Sequence, residues 1–244
     1  MAVIFPWQRK MKRRPAVRCA AVVAAAGAAT RMGGEDKVLA PLGEQPVLLY
    51  SLSALEASEH ICEIVVVTRE DLLVQVSQLC KSAGLSKVTK VVVGGASRAE
   101  SVLKGLREVS GRAKLIAIQD GARPFVTQEI IDGAVFAAER WSAAAPAVPV
   151  KDTVKEAADG RVVATPDRDS LFAVQTPQVF DAELIRGALG KAVADGEPVT
   201  DDCSAVERIG IPVILTAGSY ENIKITTPVD LAVAEAILKW REKR

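Results

Sequence analysis

The stretch CAAVVAAAGAATRMGGEDK, residues 19–37, decides the fold. Its opening, Cys19–Ala25, is apolar and unbroken, as in a strand buried on both faces of a parallel sheet. Only small residues follow before Arg31, and Lys37 lies further on. Small residues let backbone N–H groups approach phosphate oxygens closely, and the two cations offset phosphate charge. An ordinary strand-to-helix turn with Arg31 and Lys37 in solvent uses the same letters, and glycine spacing alone favours that plainer reading. The rest of the chain has to choose between them.

Strand-like runs recur at residues 64–68, Val88–Val93 and 115–119, with helical patterns between them at 46–56, 71–83 and 99–108. Leu72, Val76 and Leu79 repeat at i, i+4 and i+7, the stripe of a helix facing a core. Strand and helix in alternation predict an α/β fold: a Rossmann-like, mostly parallel sheet with helices on both faces. Two more helices are expected at Gln128–Trp141 and Pro228–Arg241. The second has Thr227 as N-cap, Pro228 at the first helical position, Asp230 at the third, and Lys239, Arg241, Lys243 and Arg244 near its end. Residues 148–177 break the alternation with short strands around a turn at Ala158-Asp159-Gly160. So polar a hairpin has little core of its own, so it should lie on the sheet or protrude as an arm towards another subunit.

Composition excludes several classes. Apolar residues make up 49% of the 244, enough for a substantial core. The 31 Lys and Arg balance 30 Asp and Glu, so no global charge draws the chain to nucleic acid or membrane, and anion binding must be local. No apolar run approaches the ~20 residues of a membrane-spanning helix. In MAVIFPWQRKMKRRP the basic cluster follows the apolar residues, the reverse of a signal peptide. Residues 1–17 are read as a disordered basic tail, with weak phosphate or surface binding as a second option, and residues 18–244 as a single domain. Cys19, Cys62 and Cys80 are expected in the core, and Cys203 is given no chemistry. With no CxxC pair, a cytoplasmic, reducing location without structural metal follows. His60 is the only histidine and precedes a strand, so it is read as an edge-of-core or surface residue. Ser-His-Asp, HExxH, GxxxxGK[ST] and GxGxxG chemistries all lack their motifs.

Polar motifs stand instead at predicted strand ends, where open α/β sheets bind ligands. Gly94-Gly95-Ala96-Ser97-Arg98 and Asp120-Gly121-Ala122-Arg123-Pro124 follow the third and fourth strands. Lys151-Asp152-Thr153, Asp167-Arg168-Asp169, Thr200-Asp201-Asp202 and Asn222-Ile223-Lys224 come later. Singly, each reads as a turn or a solvated charge. Together they supply cations for phosphate, carboxylates for a divalent ion and small residues for close approach to a base or ribose.

With these motifs the chain resembles the 2-C-methyl-D-erythritol 4-phosphate cytidylyltransferase family from about Cys19 to its last helix. The AAG loop is common to many sugar nucleotidyltransferases. GGxxRxxSV (94–102), DxARP (120–124), VPVKDT with PDR, QTPQxF (175–180), TDDxS and NIKxTxPxDL narrow the resemblance. It implies a fold of the nucleotide-diphospho-sugar transferase type, CTP and a polyol phosphate as substrates, Mg²⁺ or another divalent cation, and a homodimer joined through the 148–177 arm. It also implies that Ala25, Ala26 and Gly27 cradle the triphosphate, with Arg31 and Lys37 gripping it. Gly95, Ala96 and Ser101 match positions that contact cytosine, with Arg98 supporting their loop. Asp120, Ala122 and Arg123 fall where the nucleotide sugar and metal-bound phosphates are met, Asp120 being the one candidate metal ligand. Lys224 matches a second lysine at the reacting centre, touching phosphate and substrate. Thr153, Arg168 and Thr200 match acceptor-side positions, Arg168 among the catalytic ones.

Three positions depart from the family pattern: Ala29 in place of a second glycine, Asp36 in place of proline before Lys37, and Glu221 in place of aspartate before Asn222. Two other readings stay open on sequence. A related transferase acting on ribitol 5-phosphate shares the loop and the NIKxTTP motif. A non-catalytic nucleotide-binding protein would keep the fold, but the joint presence of Lys37, Lys224 and Arg168 argues against it.

Overall fold

The computed structural model describes residues 17–27 and 36–243. Arg31, Ala29 and all of the basic tail except Val17 lie outside the described residues. The chain runs β1 (Cys19–Ala25), β2 (Pro41–Leu42), β3 (Gln45–Pro46), α1 (Val47–Glu56), β4 (Ile61–Thr68), α2 (Leu73–Ser82), β5 (Val88–Val93) and α3 (Arg98–Glu108). It continues through β6 (Leu115–Asp120), α4 (Gln128–Trp141), β7 (Ala143–Pro149), β8 (Glu156–Ala158), β9 (Arg161–Ala164) and β10 (Phe172–Val174). Last come β11 (Gln178–Asp181), α5 (Ala182–Ala194), α6 (Asp202–Glu207), β12 (Ile214–Ala217) and α7 (Pro228–Arg241).

β1 pairs in parallel with both β4 and β6, and β4 in parallel with β5. The pleat sends Cys19, Ala21, Val23 and Ala25 into one apolar cluster with α1, α2 and α4, and Ala20 and Val22 into another with α3, α5 and α6. Every β1 residue therefore meets a helix layer, which is why the strand reads as an unbroken apolar run. Helix packing is close: a Cβ on Gly105 of α3 would stand 2.6 Å from Val22 Cγ1 and 2.7 Å from Val67 Cγ2. Only glycine lets α3 approach β1 and β4 so nearly. β11 enters antiparallel between β6 and β7, and β12 closes the far edge in parallel with β7. The result is the expected mixed, mostly parallel sheet.

β7 before residue 148, β11, β12, α5 and α6 carry no signal that the sequence reading used, while β10 falls among the short strands expected over 148–177. β7 is AAAPAVP, alanine-rich with an internal proline, yet its first six residues are buried. Tertiary pairing on both edges makes it a strand where local propensity does not. Cys62 corrects its expectation: it is exposed, because it points away from the face taken by Ile61, while Cys19 and Cys80 are buried as expected. His60 is buried at the edge of the core, edge-to-face on Phe136 and 3.6 Å from Asp132.

The hairpin has the turn its letters call for. Asp159 and Gly160 both have positive φ, the two-residue connection whose twist suits a hairpin. β8 and β9 pair only with each other, and their residues are exposed, so the hairpin protrudes rather than lying on the sheet. Among the described residues no helix is long and apolar enough to cross a membrane.

Candidate active site

Because β1, β4, β5 and β6 are parallel, their carboxyl ends open at one edge, where a cleft of about 340 Å³ lies. Three loops line it. The first continues β1 through Ala26 and Gly27 and returns at Lys37. Lys37 Nζ sits 3.2 Å from the position a Cβ on Gly27 would take, so a larger residue there would crowd the amine. Asp36, at the departure from the family pattern, has a structural task. It accepts from the N–H of Val38 at 3.0 Å and pairs with Arg69 beyond β4, fixing the backbone that presents Lys37.

The second loop joins β5 to α3 and is held by its own side chains. Ser101 Oγ accepts from the N–H of Gly95, Glu100 Oε2 from that of Ala96, both at 3.0 Å, and Ser97 caps α3 by accepting from the N–H of Glu100. Lys104 donates to the carbonyl of Gly94 at 2.8 Å. A Cβ on Gly94 would stand 2.8 Å from Ala26 Cβ, so the first two loops touch there. Arg98 does not hold this loop: its side chain turns to Asp202 and Asp120.

The third loop follows β6 and carries the charged centre. Asp120, its side chain only 8% exposed, faces Lys224 Nζ at 2.9 Å, Arg123 Nε at 3.3 Å and Arg98 Nη2 at 3.6 Å. Burial alone would push its pKa up, but Lys224, Arg98 and Arg123 outweigh that and hold it below the usual carboxylate range. Burial lowers the Arg123 pKa, with Asp120 opposing.

Lys224 reaches this centre on a segment tied down by buried amides. Asn222 Nδ2 donates to Gln175 Oε1 at 3.2 Å and to the carbonyl of Thr176 at 3.1 Å, while Thr176 Oγ1 accepts from the N–H of Asp120 at 3.1 Å. Gln175 also bonds both ways with the Ser219 backbone. Ile225 N–H donates to Ala122 and Arg123 Nη1 to the carbonyl of Asn222, joining the two loops directly. Glu221 pairs with Arg241 of α7 at 2.9 Å, an anchoring contact. Gln175, Gln178, Thr176 and Asn222 were visible only as motif letters. Their function is to cross-link segments far apart in sequence, which no local pattern reveals.

Of the residues singled out by sequence, Ala25, Ala26, Gly27, Lys37, Gly95, Ala96, Ser101, Asp120, Ala122 and Lys224 line this one cleft, with Arg98 and Val38. Arg123 stands behind Asp120. Thr153, Arg168 and Thr200 are exposed and outside the lining, and Arg168 donates to the carbonyl of Lys151 at 3.3 Å.

A parallel-sheet edge with small-residue loops, a buried carboxylate and two lysines is the site of a nucleotidyltransferase. The model of the family IspD, 2-C-methyl-D-erythritol 4-phosphate cytidylyltransferase, matches residues 19–240, and the chain belongs to that family. It is 48% identical over 225 residues to the enzyme of that name from Desulforamulus reducens, covering 91% of this chain and 96% of the relative. It is 46% identical over 226 residues to that from Caldanaerobacter subterraneus, covering 90% and 98%. The solved 4-diphosphocytidyl-2C-methyl-D-erythritol synthase from Anaerococcus prevotii superposes with a TM-score of 0.82 at 31% identity, covering 91% of this chain and 96% of that one.

The amide web yields a test. Asn222→Ala leaves the carbonyl of Thr176 without its amide donor and Gln175 Oε1 with the Ser219 N–H alone, and stability should fall by about 1–3 kcal/mol in urea unfolding. Lys224 would lose its fixed base, so turnover should drop about tenfold or more beyond any loss of folded protein.

Proposed function

We propose that this cleft transfers a cytidylyl group from CTP to 2-C-methyl-D-erythritol 4-phosphate, giving the diphosphocytidyl product and pyrophosphate for isoprenoid precursors. The observation that carries the reading is the convergence of Lys37, Lys224, Asp120 and the two small-residue loops on one cleft. A phosphate monoester has a second pKa of about 6, so the attacking oxygen is already ionised at neutral pH. No general base is needed, which suits a cleft with no histidine in its lining. The obstacle is electrostatic, since a dianion must approach the α-phosphorus of a polyanion. The triphosphate lies on Ala25, Ala26 and Gly27, gripped by Arg31 and Lys37, and cytosine sits against Gly95, Ala96 and the loop that Ser101 holds. Lys224 moves from Asp120 to the phosphates, where its charge counts most in the transition state.

Among the described residues no group of three His, Cys, Asp or Glu could hold a metal ion. A divalent cation that keeps its waters and takes one carboxylate plus substrate phosphates fits that donor set, with Asp120 as the protein ligand. When bound, it neutralises charge on the triphosphate. The acceptor phosphate is held by Thr153, Thr200 and Arg168. Thr153 and Arg168, at the arm, do not line the cleft of their own subunit, which supports a homodimer in which the arm completes the partner's site. Val162 and Val163, 60% and 63% exposed on β9, offer the apolar surface for such docking.

Pyrophosphate release measured with CTP, UTP, ATP and GTP, each with methylerythritol phosphate or ribitol 5-phosphate, tests the function. CTP with methylerythritol phosphate should be preferred, by up to ~10⁴ over purine triphosphates, because buried polar groups left unpaired reject the wrong base. Comparable turnover with ATP, or a preference for ribitol phosphate, would sink this reading.

Lys37→Ala and Lys224→Ala should each lower turnover about 100-fold or more with the fold intact, measured at saturating substrates alongside circular dichroism. Near wild-type turnover would remove that lysine from the mechanism.

The arm is tested by subunit exchange between Lys37→Ala and Arg168→Ala proteins. If it crosses, a mixed dimer has one site with both lesions and one with neither, and activity partly returns. Verified mixed dimers without recovery would confine the arm to its own subunit.

A further inference from the structure

The motif TDDxS supplies one group that the reading above leaves unused. Asp202 is fully buried at the start of α6 and outside the cleft lining. Its backbone is fixed from β11: Gln178 Oε1 accepts from the N–H groups of Asp202 and Cys203, and Gln178 Nε2 donates to Asp201 Oδ2 at 2.7 Å. Its carboxylate makes no aligned hydrogen bond, and its near neighbour is Arg98 Nη2 at 2.7 Å. That same nitrogen lies 3.6 Å from Asp120 Oδ1. One guanidinium therefore stands between two buried carboxylates, at the end of α3 that carries the loop assigned to cytosine.

The charges around Asp120 make this arrangement intelligible. Arg98 lies against Asp202 and Arg123 against Asp120, and Lys224 is a further cation on Asp120. An unpaired buried carboxylate is strongly destabilising, so until a divalent cation reaches Asp120, Lys224 can leave it only if other cations stay. Arg123 is fixed by its bond to the carbonyl of Asn222. Arg98 lines the open cleft and, without an anchor, would be drawn to the triphosphate itself. We propose that Asp202 is a positioning residue: it keeps Arg98 off the phosphates and on Asp120, so that Lys224 is the cation released to the triphosphate.

This rests on the assigned role of Lys224. Turnover of Lys224→Ala tests that reading separately, and ratios between the Asp202 and Arg98 variants and wild type test the positioning. The variants are Asp202→Asn, Arg98→Gln and the pair combined, with CTP affinity from calorimetry without acceptor, kcat from pyrophosphate release and Tm from thermal unfolding. For Asp202→Asn the expected result is CTP affinity equal to or tighter than wild type, with kcat lower by about tenfold or more. A merely structural lesion would weaken CTP binding as well. The combined variant removes the stranded charges and should melt above Arg98→Gln, its kcat staying as low as that of Arg98→Gln. Weaker CTP binding in Asp202→Asn, unchanged kcat there, or recovery of kcat with Tm in the combined variant would each overturn the assignment. Should Asp202→Asn not fold, the comparison of the combined variant with Arg98→Gln decides alone.

Discussion

Asp120 is a carboxylate nearly cut off from water, and the cleft is arranged around keeping it charged. Left alone, burial would raise its pKa, but three cations from three places outweigh that and hold it down. Arg123 comes from its own loop, Arg98 from the start of α3 and Lys224 from the segment before α7. One anion thus gathers positive charge that would otherwise repel itself, at the point where a polyanionic nucleotide has to be received. Removing one partner of such a buried pair leaves charge uncompensated, which is strongly destabilising.

The scaffold makes this gathering possible. Parallel strands put β1, β5 and β6 loops at one edge, and the β10–β11 connection supplies Gln175 and Thr176 while β11 begins with Gln178. From there Thr176 holds the Asp120 backbone, Gln175 holds Ser219 and Asn222, and Gln178 holds the start of α6. Amides suit this work because each carries both donor and acceptor, and can tie two backbones at once. On the other side Ser51 of α1 donates to the carbonyls of Gly121 and Arg123, closing the loop from the opposite helix layer.

The arm obeys a different rule. A hairpin with exposed strands has marginal stability by itself, and its Arg168 and Thr153 stand apart from the cleft of the same chain. If the arm crosses as proposed, a symmetric partner would offer both the burial and the site that these residues lack. Dimerisation and acceptor binding would then rest on one element, which explains why it departs from the β/α alternation instead of adding to the core.

By itself the sequence determined what consecutive residues can carry. The buried apolar run of β1, the alternation with helices, the Thr227-Pro228-Asp230 cap of α7, the Asp159-Gly160 turn and the small-residue loops at strand ends were all legible. Each depends on neighbours a few positions apart. The loops at the strand ends were legible as places that converge in a parallel sheet, while the roles given to their residues came from the family resemblance. Tertiary structure alone decided that AAAPAVP is a strand, that Cys62 faces outward, that Asp36 anchors to Arg69, and that Arg98 serves two aspartates rather than its own loop. The reason is physical: an ion pair's partner is chosen by distance in space and its strength by burial, and neither is written in adjacent letters.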